Sequence, residues 1–231
     1  MQQGKGSAGM VLIGVGGTGC ALLPLISALG PASIRLVDGD TVEAGNLPRQ
    51  RLFAPDDVGK LKVVAAMERI GPVAPGIHWD PVAHFIDAAN ITAMLEGSDL
   101  VADCTDDLAA RALVERTCRS MNIPLVSGAV HGHQVQVITC HGADHSRRRE
   151  GFFRGRASED QLGCDMQRVP AAVTTLTASL MALRIADLLV GGDGLAGVMD
   201  LVDAEHGRWM RIMGPDAGEF MDTPIRPSHH A

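Results

Sequence analysis

The 231-residue chain has no tyrosine, five phenylalanines and two tryptophans. So few rings argue against the stacking platforms that hold single-stranded nucleic acid. A surplus of positive charge is missing too: 20 Lys and Arg stand against 27 Asp and Glu, a formal net charge of −7. No general basic field is therefore available to draw nucleic acid or an anionic membrane. The apolar stretch Met10 to Leu29 lacks the continuity of a membrane span, because Gly14, Gly16, Gly17, Gly19 and Pro24 interrupt it. Nor does it have a basic segment leading into an unbroken apolar core, as a signal peptide has. Cysteine pairs are absent as well. Cys20, Cys104, Cys118, Cys140 and Cys164 are odd in number and contain no C-x-x-C. Neither a secreted disulfide framework nor a four-thiolate zinc clip is indicated, and a reducing cytoplasm is the expected location. The G-x-x-x-x-G-K-[ST] loop is also missing, which counts against an NTPase that cleaves the γ-phosphate. Lysine itself is scarce, three against seventeen arginines, and two of the three are Lys60 and Lys62. A compact ammonium suits a phosphate chain in a way that a planar guanidinium fork does not always match.

What is present reads as one α/β domain over residues 1–231, rich in glycine (27) and in apolar side chains (46%). Residues 10–15 form an unalternating apolar run, as a fully buried strand does, and Cys20 to Leu29 continue as a helix. Ile34 to Asp38 is a second short strand ending in acids, which completes a right-handed βαβ unit. Helices are expected at Lys60–Ile70, Ala88–Glu96 and Leu108–Met121, with strands at His78–Ala83, Leu100–Cys104, Pro124–Ser127 and Gln134–Thr139. Gln134–Thr139 alternates apolar and polar residues, as a half-exposed antiparallel strand would. From 141 to about 168 periodicity vanishes and Arg147, Arg148, Arg149, Arg154 and Arg156 cluster, which reads as a mobile arginine-rich loop. A long helix from Pro170 to about Val190 and a terminal hairpin at Gly197–Val202 and Arg208–Ile212 follow. The expected architecture is a Rossmann-like, doubly wound, mostly parallel sheet extended by antiparallel strands on its C-terminal side.

Three segments carry the chemistry. Gly14-Val15-Gly16-Gly17-Thr18-Gly19 follows the first strand, and such a turn lets backbone N–H groups reach a phosphate at a helix N-terminus. Asp38 lies 24 residues after Gly14, close to the roughly 20 expected of an acid that binds ribose hydroxyls. Asn46-Leu47-Pro48-Arg49-Gln50, with Lys62 beyond it, supplies cations for a triphosphate. Asp103-Cys104-Thr105-Asp106 ends another strand, and Asp106 is the candidate Mg²⁺ ligand, since Mg²⁺ on a nucleotide needs only one or two protein carboxylates. The fitting reaction is attack of a substrate carboxylate on the α-phosphorus of ATP, giving an acyl adenylate and pyrophosphate. It depends on positioning and charge stabilisation more than on a protein nucleophile. His131, His133, Cys140, His141 and His145 are near one another in sequence, but a strand at 134–139 would separate them and weaken a metal reading.

These ordered motifs, together with Leu36-Val37-Asp38-Gly39-Asp40, Val58-Gly59-Lys60-Leu61-Lys62 and Ser127-Gly128, resemble the ThiF/MoeB/HesA family, bacterial relatives of ubiquitin-activating enzymes. The resemblance runs from Met10 to about Val190 and implies that Gly14, Gly16, Gly17, Gly19, Asp38, Asp40, Asn46, Arg49, Gln50, Lys62 and Asp106 form an ATP and Mg²⁺ site. Arg49, Lys62 and Asp106 would be the catalytic members. It implies adenylation of the C-terminal glycine of a ubiquitin-like or sulfur-carrier protein by a homodimer, or alternatively of a small-molecule or peptide carboxylate. Cys164, in Gly163-Cys164-Asp165, matches a position where some members carry sulfur or form a covalent link. The chain departs from the family in having Asp106-Asp107 for Asp-Asn, no C-x-x-C pairs for structural zinc, and only nine residues before the first strand. Arg51 or a loop arginine could replace the arginine that family members lend to a partner's site. Two readings from other classes stay open: an NAD-dependent oxidoreductase, which leaves Arg49, Lys62 and Asp106 without a role, and a non-catalytic partner that keeps an inherited nucleotide fold.

Overall fold

The computed structural model of the protein describes residues 8–140 and 169–213. Eight strands form one sheet in the order β3-β2-β1-β4-β5-β6-β7-β8. They are β1 (Gly9–Ile13), β2 (Ser33–Val37), β3 (His78–Val82), β4 (Leu100–Asp103), β5 (Leu125–His131), β6 (Gln134–Cys140), β7 (Val198–Asp203) and β8 (Arg208–Met213). The first five pair in parallel and the last three antiparallel, the expected doubly wound sheet with its antiparallel extension. The arginine-rich segment at 141–168 lies outside the described residues.

Both faces of the inner strands β1 and β4 are covered, which is why these two read as continuous apolar runs. On β1, Met10 and Leu12 face one core with helices α1 (Gly17–Ser27), α2 (Lys62–Ile70) and α5 (Ala171–Leu189). Val11 and Ile13 face the other core with α3 (Ile91–Leu95) and α4 (Leu108–Met121). The chain winds outward from β1 through β2 to β3, then crosses back to place β4 on the other side of β1. The strand order thus reverses between β1 and β4, which pair through Met10–Ile13 and Leu100–Asp103. A crevice opens beyond the carboxyl ends of strands at such a point.

Several boundaries shift for local reasons. Helix α4 begins and ends where the sequence places it, because Asp107 accepts from the Ala110 N–H at 2.6 Å and Asn122 closes the helix in the left-handed region at φ +57°. Helix α3 starts late, since the Asp87 carboxylate accepts from the Ala89 and Asn90 N–H groups and holds 87–90 as a turn. Strand β5 continues past Ser127 to His131 because β6 supplies a ladder along its whole length. Strand β6 is buried from Val137 to Cys140 instead of half exposed: Val135 and Val137 pack in the core shared with α5, and Ile138 and Cys140 in the core shared with α4.

Among the described residues, α5 alone has the length and apolarity of a membrane-crossing helix. It is nonetheless a packed helix of the fold, lying against α1, β5 and β6. It carries the buried Arg184, whose guanidinium donates to Asp200 Oδ2 at 2.6 Å, to the Val198 carbonyl at 2.7 Å and to Thr139 Oγ1 at 3.2 Å. Asp200 Oδ1 also accepts from Arg211 at 2.8 Å and Trp209 at 3.0 Å, so β7, β8 and α5 meet on one carboxylate. Burial alone would raise the Asp200 pKa, but the hydrogen bonds from Arg211, Arg184 and Trp209 outweigh it and hold the carboxyl below its ordinary range. A carboxyl whose folded pKa is depressed stabilises the fold above its unfolded pKa, about 4, and loses that contribution as pH falls through the folded value. Arg184→Ala, which leaves a buried carboxylate short of its main partner, is expected to cost about 3 kcal/mol in urea denaturation at pH 7. Asp200→Asn should flatten the fall of stability below about pH 4.

Candidate functional site

Gly14 takes φ +86°, and a Cβ there would stand 2.9 Å from the Cys104 carbonyl oxygen. At Gly19 a Cβ would fall 2.0 Å from the Gly14 carbonyl oxygen, so this glycine seats α1 against the turn; it does not line the cleft. A Cβ at Gly17 would press on Thr174 of α5 at 3.1 Å. Gly16 differs: nothing lies within 4 Å of a Cβ built there, and the residue lines a cleft of about 900 Å³. No neighbour among the described residues requires a glycine at 16. A phosphate approaching the bare backbone ahead of α1 would.

The end of β2 is tied to this turn. Asp38 Oδ2 accepts from the Val15 N–H at 2.7 Å and Oδ1 from the Asp40 N–H at 2.8 Å. Asp40 Oδ2 in turn accepts from Lys62 Nζ at 2.7 Å. Lys62, the first residue of α2, is only 6% exposed, so its ammonium is desolvated and held at the cleft wall by a half-exposed carboxylate. Lys60 has another job. Its ammonium bonds Glu68 at 2.6 Å and Asp57 at 3.3 Å, outside the cleft lining, and those two hydrogen bonds raise its pKa. Only the second lysine of the pair lines the cleft.

The third wall is the short helical turn Ala44–Asn46 and the residues after it. Arg49 donates to Asn46 Oδ1 at 2.6 Å and to the Gly45 carbonyl at 3.1 Å, which fixes the guanidinium at the cleft. Gln50 is buried, lines the cleft, and its Oε1 has no hydrogen-bond partner among the described residues, an atom that a polar ligand would satisfy. Arg51 is exposed and outside the lining.

The loop after β4 is pinned from below by a buried network. Asp103 Oδ1 accepts from Thr105 N at 3.0 Å and Thr105 Oγ1 at 2.7 Å, and Oδ2 accepts from Ser127 Oγ at 2.7 Å. Arg111, buried on α4, donates to the Thr105 carbonyl through Nε at 2.7 Å, to the Gly128 carbonyl, and to Ser127 Oγ at 3.3 Å. The sequence reading missed Arg111. Its one signal was an arginine on the helix face that also carries Val114 and Cys118. With Asp107 used as the α4 cap, Asp106 is left exposed in the cleft with its carboxylate available. Asparagine caps a helix as well as aspartate does, so Asp at 107 leaves the cap intact.

The cleft therefore gathers Gly14, Gly16, Gly17, Asp38, Asp40, Asn46, Arg49, Gln50, Lys62 and Asp106, and then continues along Gly128–His131 of β5 to Gln136 of β6. His131 sits in that extension, whereas Cys140 is buried at the far end of β6. Cys164 lies outside the described residues. Burial pushes the thiols of Cys20 and Cys104 far above their ordinary range, so neither offers a thiolate at neutral pH. Among the described residues no cluster of three metal-ligating side chains occurs. A lone carboxylate such as Asp106 still suits Mg²⁺ that arrives on phosphate oxygens and keeps several waters.

The model of the ThiF family matches residues 2–217 of this chain. Molybdopterin-synthase adenylyltransferase of Escherichia coli (strain K12) is 33% identical over 199 residues, covering 84% of this chain and 78% of that protein. Sulfur carrier protein ThiS adenylyltransferase of the same strain is 26% identical over 208 residues, covering 88% of this chain and 80% of that protein. In shape, the chain matches the crystal structure of E. coli MccB with ATP at a TM-score of 0.78 and 19% identity, over 90% of this chain and 64% of that one.

Cap and ligand are separable by mutation. Asp107→Ala is expected to lower stability by about 1 kcal/mol and Asp107→Asn to leave it nearly unchanged. Asp106→Ala, at an exposed side chain, should shift stability by no more than about 0.5 kcal/mol. Urea denaturation of the three variants checks the assignment.

Proposed function

The chain belongs to the ThiF family, and on that premise we propose that it is an ATP- and Mg²⁺-dependent adenylyltransferase acting on the C-terminal glycine carboxylate of a small ubiquitin-like or sulfur-carrier protein. One observation carries this reading: a bare backbone at Gly16, the cations of Lys62 and Arg49, and the free carboxylate of Asp106 line a single cleft that extends along β5. Gly16 leaves room for phosphates, and Lys62 and Arg49 balance their charge as it shifts toward pyrophosphate. Asp106 would hold Mg²⁺, which adds positive charge on the phosphate oxygens. The acceptor carboxylate, entering along Gly128–His131, attacks the α-phosphorus; the bond to pyrophosphate breaks and an acyl adenylate forms. No protein nucleophile is needed, which agrees with the protonated state of the buried thiols beside the site.

Two named adenylyltransferases among the relatives, one of them acting on a sulfur carrier protein by its name, favour a protein acceptor. We extend the reading to a homodimer in a reducing cytoplasm, in keeping with the thiols of Cys20, Cys104 and Cys118, which form no disulfide among the described residues. Cys164 is the candidate for a later transfer of the activated acyl group or of sulfur; Cys164→Ala should leave adenylation unchanged.

Pyrophosphate exchange tests the whole. With ATP, Mg²⁺, labelled pyrophosphate and a carrier ending in Gly-Gly, label is expected to return to ATP. Asp106→Ala and Lys62→Ala should each slow exchange about 100-fold or more. Exchange only with a small-molecule or peptide carboxylate would move the acceptor to that class. Tight NAD binding without ATP binding would overturn the proposal.

A further inference from the structure

In a chain so poor in aromatic residues, Phe85 is 65% exposed. Its position is fixed nonetheless. Asn90 Nδ2 donates to the Phe85 carbonyl at 2.9 Å, and Asp87 and Asn90 bond each other's backbone N–H groups at 2.9 Å. The ring is seated on Gly39: a Cβ there would lie 2.6 Å from Cδ2, 2.7 Å from Cε2 and 2.8 Å from Cγ, three contiguous ring atoms. Gly39 stands between Asp38 and Asp40, and Phe85 lines the same cleft, along with His84, Ile86 and the exposed Leu108 at the start of α4.

The order of groups along the cleft gives this ring a use. Phosphates belong at Gly16 and Lys62, and an acid at the end of the second strand belongs to the ribose, which here is Asp38. A base attached to that ribose extends away from the phosphates, and the surface beside Asp38 is Gly39 with Phe85 upon it. We infer that Phe85 is the platform on which the purine base of the bound nucleotide stacks, with Gly39 required to be glycine so that the ring can lie flat enough to receive it. Stacking uses the π-face of both rings and tolerates solvent along one edge, which accounts for an exposed aromatic side chain on a rigid loop. Nothing else among the described contacts explains glycine at 39, which takes no positive φ.

This inference rests on the cleft being an ATP site, so the experiment reads binding directly, by calorimetry on the full chain with ATP and with inorganic tripolyphosphate. Phe85→Ala is expected to weaken ATP roughly tenfold and to leave tripolyphosphate unchanged. Phe85→Trp should retain ATP affinity and place an indole whose fluorescence is quenched by ATP and not by tripolyphosphate. Gly39→Ala should weaken ATP in the unaltered background and have little further effect in Phe85→Ala, where no ring remains to be displaced. Phe85→Ala binding ATP as well as the unaltered chain does would overturn the inference while leaving the ATP site standing. Equal loss of ATP and tripolyphosphate would also overturn it, since Phe85 would then be shaping the loop and not receiving the base. Failure of the unaltered chain to bind ATP at all would overturn the reading of the site itself, and this inference with it.

Discussion

The site depends on a steric constraint between two glycines. The α carbon of Gly19 lies so close to the Gly14 carbonyl that a single added methyl would sit 2.0 Å from its oxygen. Gly14 is itself pressed against the Cys104 backbone in a left-handed conformation that other residues rarely adopt. These two contacts draw the end of β1, the start of α1 and the loop after β4 together. The phosphate turn and the Asp106 carboxylate are neighbours for that reason. A larger residue at either glycine would separate them before any ligand contact was touched.

Electrostatics then sets how the cleft waits for a ligand. Lys62 is almost wholly buried, at the N-terminus of a helix whose dipole disfavours a cation, and Asp40 compensates it at 2.7 Å. Asp38 is engaged by the N–H groups of Val15 and Asp40. Arg49 is held by Asn46 and Gly45. Lys62, Asp38 and Arg49 are thus each held by a partner within the protein, while Asp106 stays open to the cleft, so the proposed reaction would meet side chains already in place, as electrostatic catalysis requires.

Much of this was legible in the sequence, and the gaps have physical causes. The strands β1 and β4 showed themselves because burial on both faces demands unbroken apolar runs, and α4 because Asp107 and Asn122 are strong end signals. The upper half of β5 was not legible: Gly128-Ala129-Val130-His131 has weak strand character and depends on pairing with β6, a long-range contact no local pattern reveals. Gly19 and Gly16 look alike in the motif, yet one packs protein against protein and the other leaves space open. Lys62 is the lysine that the sequence reading assigns to the triphosphate, but no partner for Lys60 was legible, because Glu68 and Asp57, which hold its ammonium, are set by the fold. Arg111 escaped because its partners, the Thr105 and Gly128 carbonyls and Ser127, lie on two separate strand ends.

Helix α5 joins these parts into one mechanical unit. Its Thr174 abuts Gly17 in the glycine-rich turn, Thr177 and Met181 lie where a side chain on Gly128 would project, and Met181 Sδ stands 3.9 Å from Cys104 Sγ in the loop after β4. One turn further on, Arg184 anchors the helix to Asp200 on β7. The apolarity that gives α5 the look of a membrane span is what lets it pack behind three walls of the cleft at once. The antiparallel extension, which holds no nucleotide group of its own, is thereby coupled through a buried ion pair to the turn that does. An acceptor seated along β5 and a nucleotide seated at Gly16 would press on the same helix, so positioning of the two reactants is shared through α5 as a rigid support.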